Sequence, residues 1–354
     1  MKVLIAGGGT GGHLFPGIAV AEELVARGHE VRFAGTRRGI EARVCPKEGW
    51  GLDFIDVGGL KGSGPLGILK GLFRIPRAML QSFAILRRYQ PDLVIGVGGY
   101  ASGPVVMAAV LSGRTTAILE QNSVPGITNR ILGKLVRAVF GAFDAARSYF
   151  PAAKYRLVGN PVRKKVRQSF GDGQPSATSG VLVVGGSQGA HAVNELVCEA
   201  MKILQGEGRA PSLVHQTGET DRAPMQARYD QAGLSVEVKA FIDDMAGAYR
   251  AAALAITRAG ASTLAELTAL GVPSILIPFP HAADDHQTVN ARELEEKGAA
   301  RVLVQNDTTP AELARVMGEL LGDRMARERM AQAARSLGKP MAHAHIVDAL
   351  EGLR

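Results

Sequence analysis

The most constraining feature of this chain of 354 residues is a short segment that occurs twice. VLIAGGGTGGH runs from Val3 to His13, and VLVVGGSQGAH runs from Val181 to His191, about half a chain length later. Each copy has the pattern of a buried apolar strand, a glycine-rich turn and the start of a helix. A chance likeness of two glycine turns is the alternative, but the matched strand, turn and histidine favour two domains of one architecture.

Short β-branched runs alternate with helical stretches along both halves, as parallel βα units require. The pattern predicts an α/β protein with two domains, at residues 1–160 and 161–339. We place the boundary at Gly159, Asn160 and Pro161, because Asn-Pro after a strand is a turn signal. A last helix at 340–354 is predicted to pack back on the first domain. Besides the two strands of the repeat, the predicted strands are Val31–Ala34, Asp53–Val57, Leu93–Val97, Thr116–Leu119, Arg156–Val158, Leu213–Gln216, Val236–Ala240, Ala253–Thr257, Ser274–Ile277 and Arg301–Val304.

Composition narrows the classes of function. A net charge of +8 favours an anionic partner, either a nucleic acid, a phosphorylated small molecule or an acidic lipid. Nucleic acid is not expected, since the chain shows no binding motif and aromatic residues are only 5%. Cys45 and Cys198 fit neither a disulfide framework nor a metal site, which favours a reducing compartment.

The sequence shows neither a signal peptide nor an uninterrupted run of 18 apolar residues. We therefore expect neither secretion nor a membrane-spanning helix, and any contact with a membrane would be at its surface.

The first glycine-rich turn satisfies G-x-G-x-x-G with Gly7, Gly9 and Gly12, between a strand and a helix. An NAD site would need an acidic residue at the end of the second strand, and none is present there. Arg37 and Arg38 at that position suit a 2′-phosphate, so an NADP-dependent enzyme stays open as an alternative. More generally, backbone N–H groups at a helix start attract phosphate, and the chain has two such turns.

Thr10 and His13 lie in the first of these turns. Thr10 is either an ordinary helix N-cap or a ligand contact. The positive end of the helix disfavours the imidazolium form of His13, which favours a neutral ring that accepts a proton as a general base.

The second domain carries RAGASTLAE on a predicted strand, turn and helix. Glu266 there is either on a solvated helix face or a carboxylate that accepts two hydrogen bonds from the vicinal hydroxyls of a ribose. His281 and His286 are near Asp284 and Asp285, but their spacing is not that of a zinc site, so no metal is expected.

Eight short motifs follow one another along the chain. They are GGGTGGH at Gly7, GVGGYASGP at Gly96, EQN at Glu120, GNPVR at Gly159, GGSQGA at Gly185, FIDDM at Phe241, RAGASTLAE at Arg258 and DDHQ at Asp284. In this order they resemble the MurG glycosyltransferases of bacterial cell-wall synthesis. The resemblance implies the GT-B fold, in which two Rossmann-like domains with parallel sheets face each other across a cleft.

The resemblance also implies an activity. It is the inverting transfer of N-acetylglucosamine from UDP-GlcNAc to the 4-hydroxyl of MurNAc in lipid I, which forms lipid II in peptidoglycan synthesis. UDP-GlcNAc is then a substrate, no cofactor is required, and the partners are lipid I and an anionic membrane surface. The implied location is peripheral, on the cytoplasmic face of the bacterial inner membrane.

Matched residue by residue, the resemblance gives His13 as the catalytic base and Tyr100 and Asn129 as acceptor-side residues. Arg258 and the helix N-termini are expected to neutralise the departing diphosphate, so that a metal need not be invoked. The residues implied on the donor side are Thr10, Gly11, Gly12, Asn122, Arg163, Ser187, Gln188, Ile242, Arg258, Ala261, Ser262, Thr263, Glu266 and Gln287.

One position departs from the family. The family commonly reads His-Glu-Gln-Asn where this chain has Leu119, Glu120, Gln121 and Asn122. A histidine cannot act at position 119 here, so His13 carries more of the implied chemistry. Alternatives that keep the fold are a UDP-sugar 2-epimerase, another GT-B transferase and a non-catalytic nucleotide-sugar-binding module.

The segment from Leu66 to Leu86 is basic and amphipathic. A core helix with a solvated basic rim is one interpretation, and contact with an anionic membrane is the other. Pro76 is predicted to divide it into two helices, and Lys61–Gly64 ahead of it is expected to be a mobile loop. The membrane-contact residues predicted here are Ile68, Leu72, Phe73, Ile75, Met79, Lys70, Arg74 and Arg77.

Overall fold

A computed structural model of the chain describes residues 1–57, 65–170, 180–186 and 188–353, without the side chains of 65–74. The chain divides into two compact units. The first comprises Met1–Arg163 together with Met341–Arg354, and the second comprises Lys164–Pro340. The boundary therefore lies three residues beyond the predicted one.

The elements alternate between strand and helix along the chain. In order they are β1 (Lys2–Gly7), α1 (Gly11–Ala26), β2 (Glu30–Gly35), α2 (Glu41–Lys47), β3 (Leu52–Phe54), α3 (Pro65–Tyr89), β4 (Leu93–Gly98), α4 (Ser102–Leu111), β5 (Thr115–Glu120), α5 (Ile127–Leu135), β6 (Ala138–Gly141), a 3-10 turn (Asp144–Tyr149), β7 (Tyr155–Leu157), α6 (Lys164–Gln168), β8 (Val181–Val184), α7 (His191–Gly206), β9 (Leu213–Gln216), α8 (Glu219–Gln231), β10 (Val236–Lys239), α9 (Met245–Ala251), β11 (Leu254–Thr257), α10 (Ala261–Leu270), β12 (Ser274–Leu276), a 3-10 turn (Ala283–Asp285), α11 (His286–Glu296), β13 (Arg301–Val302), α12 (Pro310–Gly322), α13 (Arg324–Leu337) and α14 (Ala342–Glu351).

The first unit is built on a parallel sheet with the strand order β3-β2-β1-β4-β5-β6-β7. Successive side chains of a strand point to opposite faces, and here both faces are covered. Val3 and Ile5 of β1 pack in one apolar cluster, while Leu4 and Ala6 pack in the other. This explains why β1 is a continuous apolar run rather than an alternating one.

The second unit repeats the arrangement with the order β10-β9-β8-β11-β12-β13. The strand β8 lies between β9 and β11 as β1 lies between β2 and β4. The repeated segment of the sequence thus opens two Rossmann-like units. In sheets of this kind the order reverses beside the first strand, and ligands bind at the carboxyl ends of the strands there. That point is between β1 and β4 in the first unit and between β8 and β11 in the second.

The last helix, α14, packs against α1 of the first unit. Ile346, Val347 and Leu350 are buried in the same cluster as β1. At the rim, Arg27 of α1 pairs with Asp348 of α14 at 2.6 Å.

Two details of the first unit differ from the sequence predictions. The strand β6 was not predicted, because only two residues separate it from α5 and its four residues give too short a pattern. The predicted break at Pro76 is wrong, since α3 continues through it as one helix of 25 residues. A proline removes only one hydrogen bond of a long helix, and the helix packs on α4.

Candidate active site

The turn after β1 lies directly against the turn after β4. The N–H of Gly8 donates to the carbonyl oxygen of Gly98 at 3.2 Å, so two glycine-rich backbones touch without side chains between them. Gly98 has φ +93°, and a Cβ there would lie 2.5 Å from Nδ1 of His13. The histidine of GGGTGGH therefore requires the glycine at position 98 in GVGGY, because the ring of His13 occupies the space that a side chain at position 98 would fill.

His13 is half-buried in the first turn of α1. Its Nδ1 lies 3.1 Å from Oε1 of Gln121, which follows β5. The side chain of Gln121 is buried, and its Nε2 donates to the carbonyl oxygen of Val97 at 3.0 Å. Gln121 belongs to the EQN motif, but the sequence does not predict it as a site residue.

The neighbours of Gln121 are structural anchors. Glu120 is buried, and its carboxylate accepts from the N–H of Asn122 at 3.0 Å and from Nδ2 of Asn129 at 2.8 Å. Burial raises the pKa of Glu120 to about 7, against these hydrogen bonds. Asn129, predicted on the acceptor side, is itself buried, and it also donates to the carbonyl oxygen of Leu119. Leu119 lies in the apolar core.

Glu41 is a second residue that sequence reasoning missed. Its carboxylate is fully buried beneath the first glycine turn and accepts the N–H of Gly9 at 2.6 Å. It also accepts the N–H and the hydroxyl of Thr36 at 2.7 and 2.9 Å. A Cβ at Gly8, Gly35 or Gly39 would collide with this side chain. A carboxylate thus already occupies a position at this turn where the sequence predicts a phosphate, which argues against a dinucleotide there.

The remaining predicted residues of the first unit surround these turns. Thr10 is the N-cap of α1, as one of the two interpretations predicts, although within the described part of the chain its side chain makes no capping hydrogen bond. Gly11 and Gly12 open α1. Tyr100 is 56% exposed just after Gly98 and Gly99. Arg163 ends the first unit, with its guanidinium 6.0 Å from the ring centre of Phe15.

The glycine turn of the second unit follows β8. Gly189 has φ +79°, and a Cβ there would strike the carbonyl oxygen of Thr217. The turn is thereby pressed against the end of β9, with Gln188 exposed. Ser187, predicted at this turn, lies outside the described residues. The helix α7 begins at His191 with no side-chain hydrogen bond from its N-cap Ala190, in the portion that the structure describes.

The neighbouring turn after β11 leads into α10. This helix starts with Ala261, Ser262 and Thr263, and within the described residues its N-cap Gly260 offers no side chain as a cap. A helix N-terminus of this kind favours an anion. Because β8 and β11 are adjacent strands, the starts of α7 and α10 lie at the same edge of the sheet.

Arg258, at the end of β11, has a specific anchoring role. Its guanidinium donates to the carbonyl oxygens of Ile277 and Pro278 at 3.1 and 3.0 Å and to Oε1 of Gln305 at 2.6 Å. Burial lowers its pKa to about 10. The residue thus holds the segment after β12 in place, a function that the sequence analysis did not anticipate.

Gln287 organises the same region. Its Oε1 accepts the N–H of Ala259 at 3.2 Å and of Phe279 at 3.0 Å, so the side-chain NH₂ remains as its donor group. Glu266 is only 4% exposed within α10, so the prediction of a solvated helix face is wrong. Ile242 is buried just after β10, next to the exposed Phe241.

The polar cluster before α11 is a turn of unusual backbone. Asp284 and Asp285 have φ of 53° and 51°, which is rare outside glycine. Nδ1 of His286 lies 2.7 Å from the carbonyl oxygen of Ala283. Among the residues that the structure describes, no group of three or more His, Cys, Asp or Glu is arranged to hold a metal ion.

In the basic amphipathic segment, the structure describes side chains only from position 75 onward. Ile75 is 39% exposed, whereas Met79 is partly buried and packs against the core of the first unit. Arg77 is exposed and lies 3.1 Å from Asp56. The side chains of Ile68, Lys70, Leu72, Phe73 and Arg74, and the residues Lys61–Gly64, lie outside the described part. None of the described helices is long and apolar enough to span a membrane.

Comparisons with known proteins place this geometry in a family. The family model described as the glycosyltransferase family 28 N-terminal domain matches residues 3–141, and the C-terminal domain model matches 180–346. The UDP-N-acetylglucosamine--N-acetylmuramyl-(pentapeptide) pyrophosphoryl-undecaprenol N-acetylglucosamine transferase of Myxococcus xanthus is 52% identical over 98% of this chain and 92% of its own length. The chain belongs to glycosyltransferase family 28, among the MurG proteins.

Other MurG relatives agree. The transferase of the same name from Geobacter sulfurreducens is 45% identical over 98% of this chain and 97% of its own length. The crystal structure of MurG from Acinetobacter baumannii superposes with a TM-score of 0.81 at 34% identity, covering 99% of both chains. A glycosyltransferase of kitacinnamycin, at 19% identity and a TM-score of 0.74, shares the fold. The GT-B fold predicted for this MurG chain is thereby confirmed.

Proposed function

We propose that this chain transfers N-acetylglucosamine from UDP-GlcNAc to the 4-hydroxyl of MurNAc in lipid I, with inversion at the anomeric carbon, and so forms lipid II. The observation that carries the proposal is the half-buried His13 at the carboxyl edge of the first sheet, held by Gln121 and facing Gly98. The names of relatives with 45–52% identity over 98% of the chain support the choice of these substrates.

The second unit binds the donor in this proposal. The diphosphate is expected at the starts of α7 and α10, near Gln188, Ser262 and Thr263, because helix N-termini stabilise anions. Ser187 is proposed as a further contact from its place in the sequence motif alone. Glu266 accepts hydrogen bonds from the ribose hydroxyls, and the backbone at Ile242 contacts uracil. The side-chain NH₂ of Gln287 is suited to donate to a sugar hydroxyl, since its oxygen is already engaged.

The chemistry assigned to His13 is general-base catalysis. The acceptor hydroxyl loses its proton to the ring as its oxygen attacks C1 of GlcNAc from the face opposite UDP. Negative charge then gathers on the departing diphosphate, and we propose that the helix N-termini stabilise it without a metal or cofactor. Arg258 contributes by fixing the loop after β12, and its own charge lies beside that loop.

We also propose that the first unit binds an anionic membrane surface through α3, on the cytoplasmic face of the bacterial inner membrane. In the described part of α3, Ile75, Leu80 and Phe83 are 39%, 71% and 37% exposed, and the exposed Arg77, which also pairs with Asp56, lies on the same stretch of the helix. Exposed apolar side chains beside cations suit an interface with acidic lipid.

One assay separates the candidate reactions. The purified chain is incubated with UDP-GlcNAc radiolabelled in the sugar, with and without lipid I in detergent. We expect label in the extracted lipid only when lipid I is present. Release of labelled sugar without lipid I would indicate hydrolysis, and formation of an epimerised UDP-sugar would indicate a 2-epimerase. Binding of UDP-GlcNAc without turnover would indicate a non-catalytic module. Each of these three outcomes would contradict the proposal.

The membrane surface has its own test by co-sedimentation with vesicles of phosphatidylglycerol or phosphatidylcholine. We expect binding to the anionic vesicles, and Leu80→Ser should weaken it several-fold. The matched control is Met325→Ser, since Met325 is 60% exposed on α13 of the other unit. Equal binding to both lipids, or equal loss in both variants, would contradict this surface.

A further inference from the structure

The side chain of Gln121 has only one orientation that satisfies its neighbours. It is 2% exposed, and one end of its amide lies 3.0 Å from the carbonyl oxygen of Val97. A carbonyl oxygen can only accept a hydrogen bond, so the NH₂ group must face Val97. The amide oxygen must therefore face His13. This assignment follows from the chemistry of the neighbours and not from telling nitrogen and oxygen apart.

The oriented amide in turn decides which nitrogen of His13 carries hydrogen. Oε1 of Gln121 can only accept, so Nδ1 of His13 at 3.1 Å must be the donor. In a neutral imidazole, a hydrogen on Nδ1 leaves the lone pair on Nε2. We propose that Gln121 is a positioning residue that holds His13 in the tautomer whose basic nitrogen is Nε2.

A second contact restricts the same ring. The ring packs on Gly98, where a Cβ would lie 2.5 Å from Nδ1. Turning the ring over about its Cβ–Cγ bond would put Cδ2 in the place of Nδ1, so the hydrogen bond to Gln121 would be lost while the ring stays against the backbone of Gly98. Both restraints come from the ends of β4 and β5, whereas His13 itself is carried by α1. The sheet thus sets the tautomer of a residue that the helix presents.

The inference rests on the proposed function only in giving Nε2 the role of proton acceptor, and the tautomer itself is measured without turnover. Selective ¹⁵N labelling of the eight histidines allows long-range ¹H–¹⁵N correlation spectra that distinguish a protonated from an unprotonated ring nitrogen. His13→Asn assigns the signal by its loss. We expect neutral His13 in the wild type to be protonated on Nδ1, and protonation on Nε2 would overturn the proposal.

Two variants separate orientation from mere packing. Gln121→Met keeps the length of the side chain but leaves only a weak thioether acceptor, so the fraction protonated on Nδ1 should fall. Gln121→Glu keeps an acceptor for Nδ1 and loses the donor to Val97, so it should retain the Nδ1 tautomer. If Gln121 had a purely structural role, both substitutions would change the tautomer of His13 to the same extent. Should Gln121→Met fail to fold, the wild type and Gln121→Glu spectra still decide.

The matched control is Gln216→Met in the second unit. Gln216 is also 2% exposed, and its Nε2 donates to the carbonyl oxygen of Ala240 at 2.9 Å. Loss of this hydrogen bond in Gln216→Met should lower the melting temperature about as much as Gln121→Met does, without altering the spectrum of His13. An unchanged tautomer in Gln121→Met, or an equal change in Gln216→Met, would overturn the proposal.

Kinetics then separate this inference from the proposed function. We expect Gln121→Met to lower kcat roughly ten- to hundredfold, a part of the effect of a general base, with KM for UDP-GlcNAc nearly unchanged. A wild type with the Nδ1 tautomer but no transfer to lipid I would refute the function and leave the tautomer assignment standing. Normal transfer by a wild type with the Nε2 tautomer would refute the tautomer assignment and leave the proposed function standing.

Discussion

The carboxylate of Glu41 lies 2.6 Å from the backbone nitrogen of Gly9, which is 32 residues away in sequence. The carboxylate accepts three hydrogen bonds, from the N–H of Gly9 and from the N–H and hydroxyl of Thr36. An amide in its place would point its NH₂ group at one of these donors. We expect Glu41→Gln to lower the free energy of unfolding by about 1–3 kcal/mol, the cost of a buried donor without an acceptor. Denaturant unfolding measures this, and the exposed Glu48→Gln is the control. Equal stability of both variants would contradict the anchoring role.

Removing the ring of His13 should affect chemistry and spare donor binding. For His13→Ala we expect kcat to fall roughly 10²- to 10⁴-fold, the usual contribution of a general base, with affinity for UDP-GlcNAc retained. The exposed His345→Ala is the control and should keep its activity. Near-normal turnover in His13→Ala with intact donor binding would remove His13 from the base role.

The glycine at position 98 is predicted to be required by the ring of His13. Gly98→Ala places a methyl 2.5 Å from Nδ1 of that ring, so we expect kcat to fall at least about tenfold as the ring is displaced. Gly113→Ala is the control, because Gly113 has φ +68° with nothing within 4 Å of its missing Cβ. Both variants carry backbone strain, and only the first should lose activity. Parallel losses would mean that strain alone is responsible.

The buried carboxylate of Glu266 is predicted to bind ribose. Glu266→Gln preserves the shape of the side chain but weakens its capacity to accept two hydrogen bonds, and we expect the Kd for UDP to rise roughly tenfold or more. Isothermal calorimetry measures the change. Glu319→Gln on the exposed face of α12 is the control. An unchanged Kd in Glu266→Gln would exclude the ribose role.

The buried His215 of the second unit should make stability depend on pH. Its Nδ1 lies 2.8 Å from the hydroxyl of Tyr229 and its Nε2 3.0 Å from Oδ1 of Asn194. Burial lowers the pKa of His215 from 6.5 to about 3. Between these values the unfolded state binds more protons than the folded state, so this group makes the free energy of unfolding rise with pH, by at most about 4–5 kcal/mol.

That pH dependence is measured by denaturant unfolding between pH 4 and pH 7. His215→Gln should flatten the rise relative to the wild type, whatever its effect at neutral pH. His345→Gln on the surface of α14 should leave the slope as it is. If His215→Gln and the wild type show the same slope, the histidine is not buried as a neutral ring.

Local patterns predicted much of this protein. The strands β2, β4, β5 and β8–β12 appear within a few residues of the β-branched runs, because a buried parallel strand must be apolar on both faces. The glycine turns and the two-unit architecture follow from the repeated segment. The candidate site was only partly predictable. His13 and Glu266 stand out by residue type in a motif, whereas Asn129, Arg258 and Gln287 gained their hydrogen-bond partners only in the folded chain.

Eleven consecutive residues in each copy are enough to predict that two βα units open with glycine turns. Which distant residues complete those turns depends on the folded chain. Gln121 reaches His13 across 108 positions because β4 lies beside β1 and β5 beside β4. Strand order is set by packing over the whole sheet, and a hydrogen bond requires its two atoms within about 3 Å. No local pattern contains that distance, so the partners of His13 and Gly9 emerge with the fold.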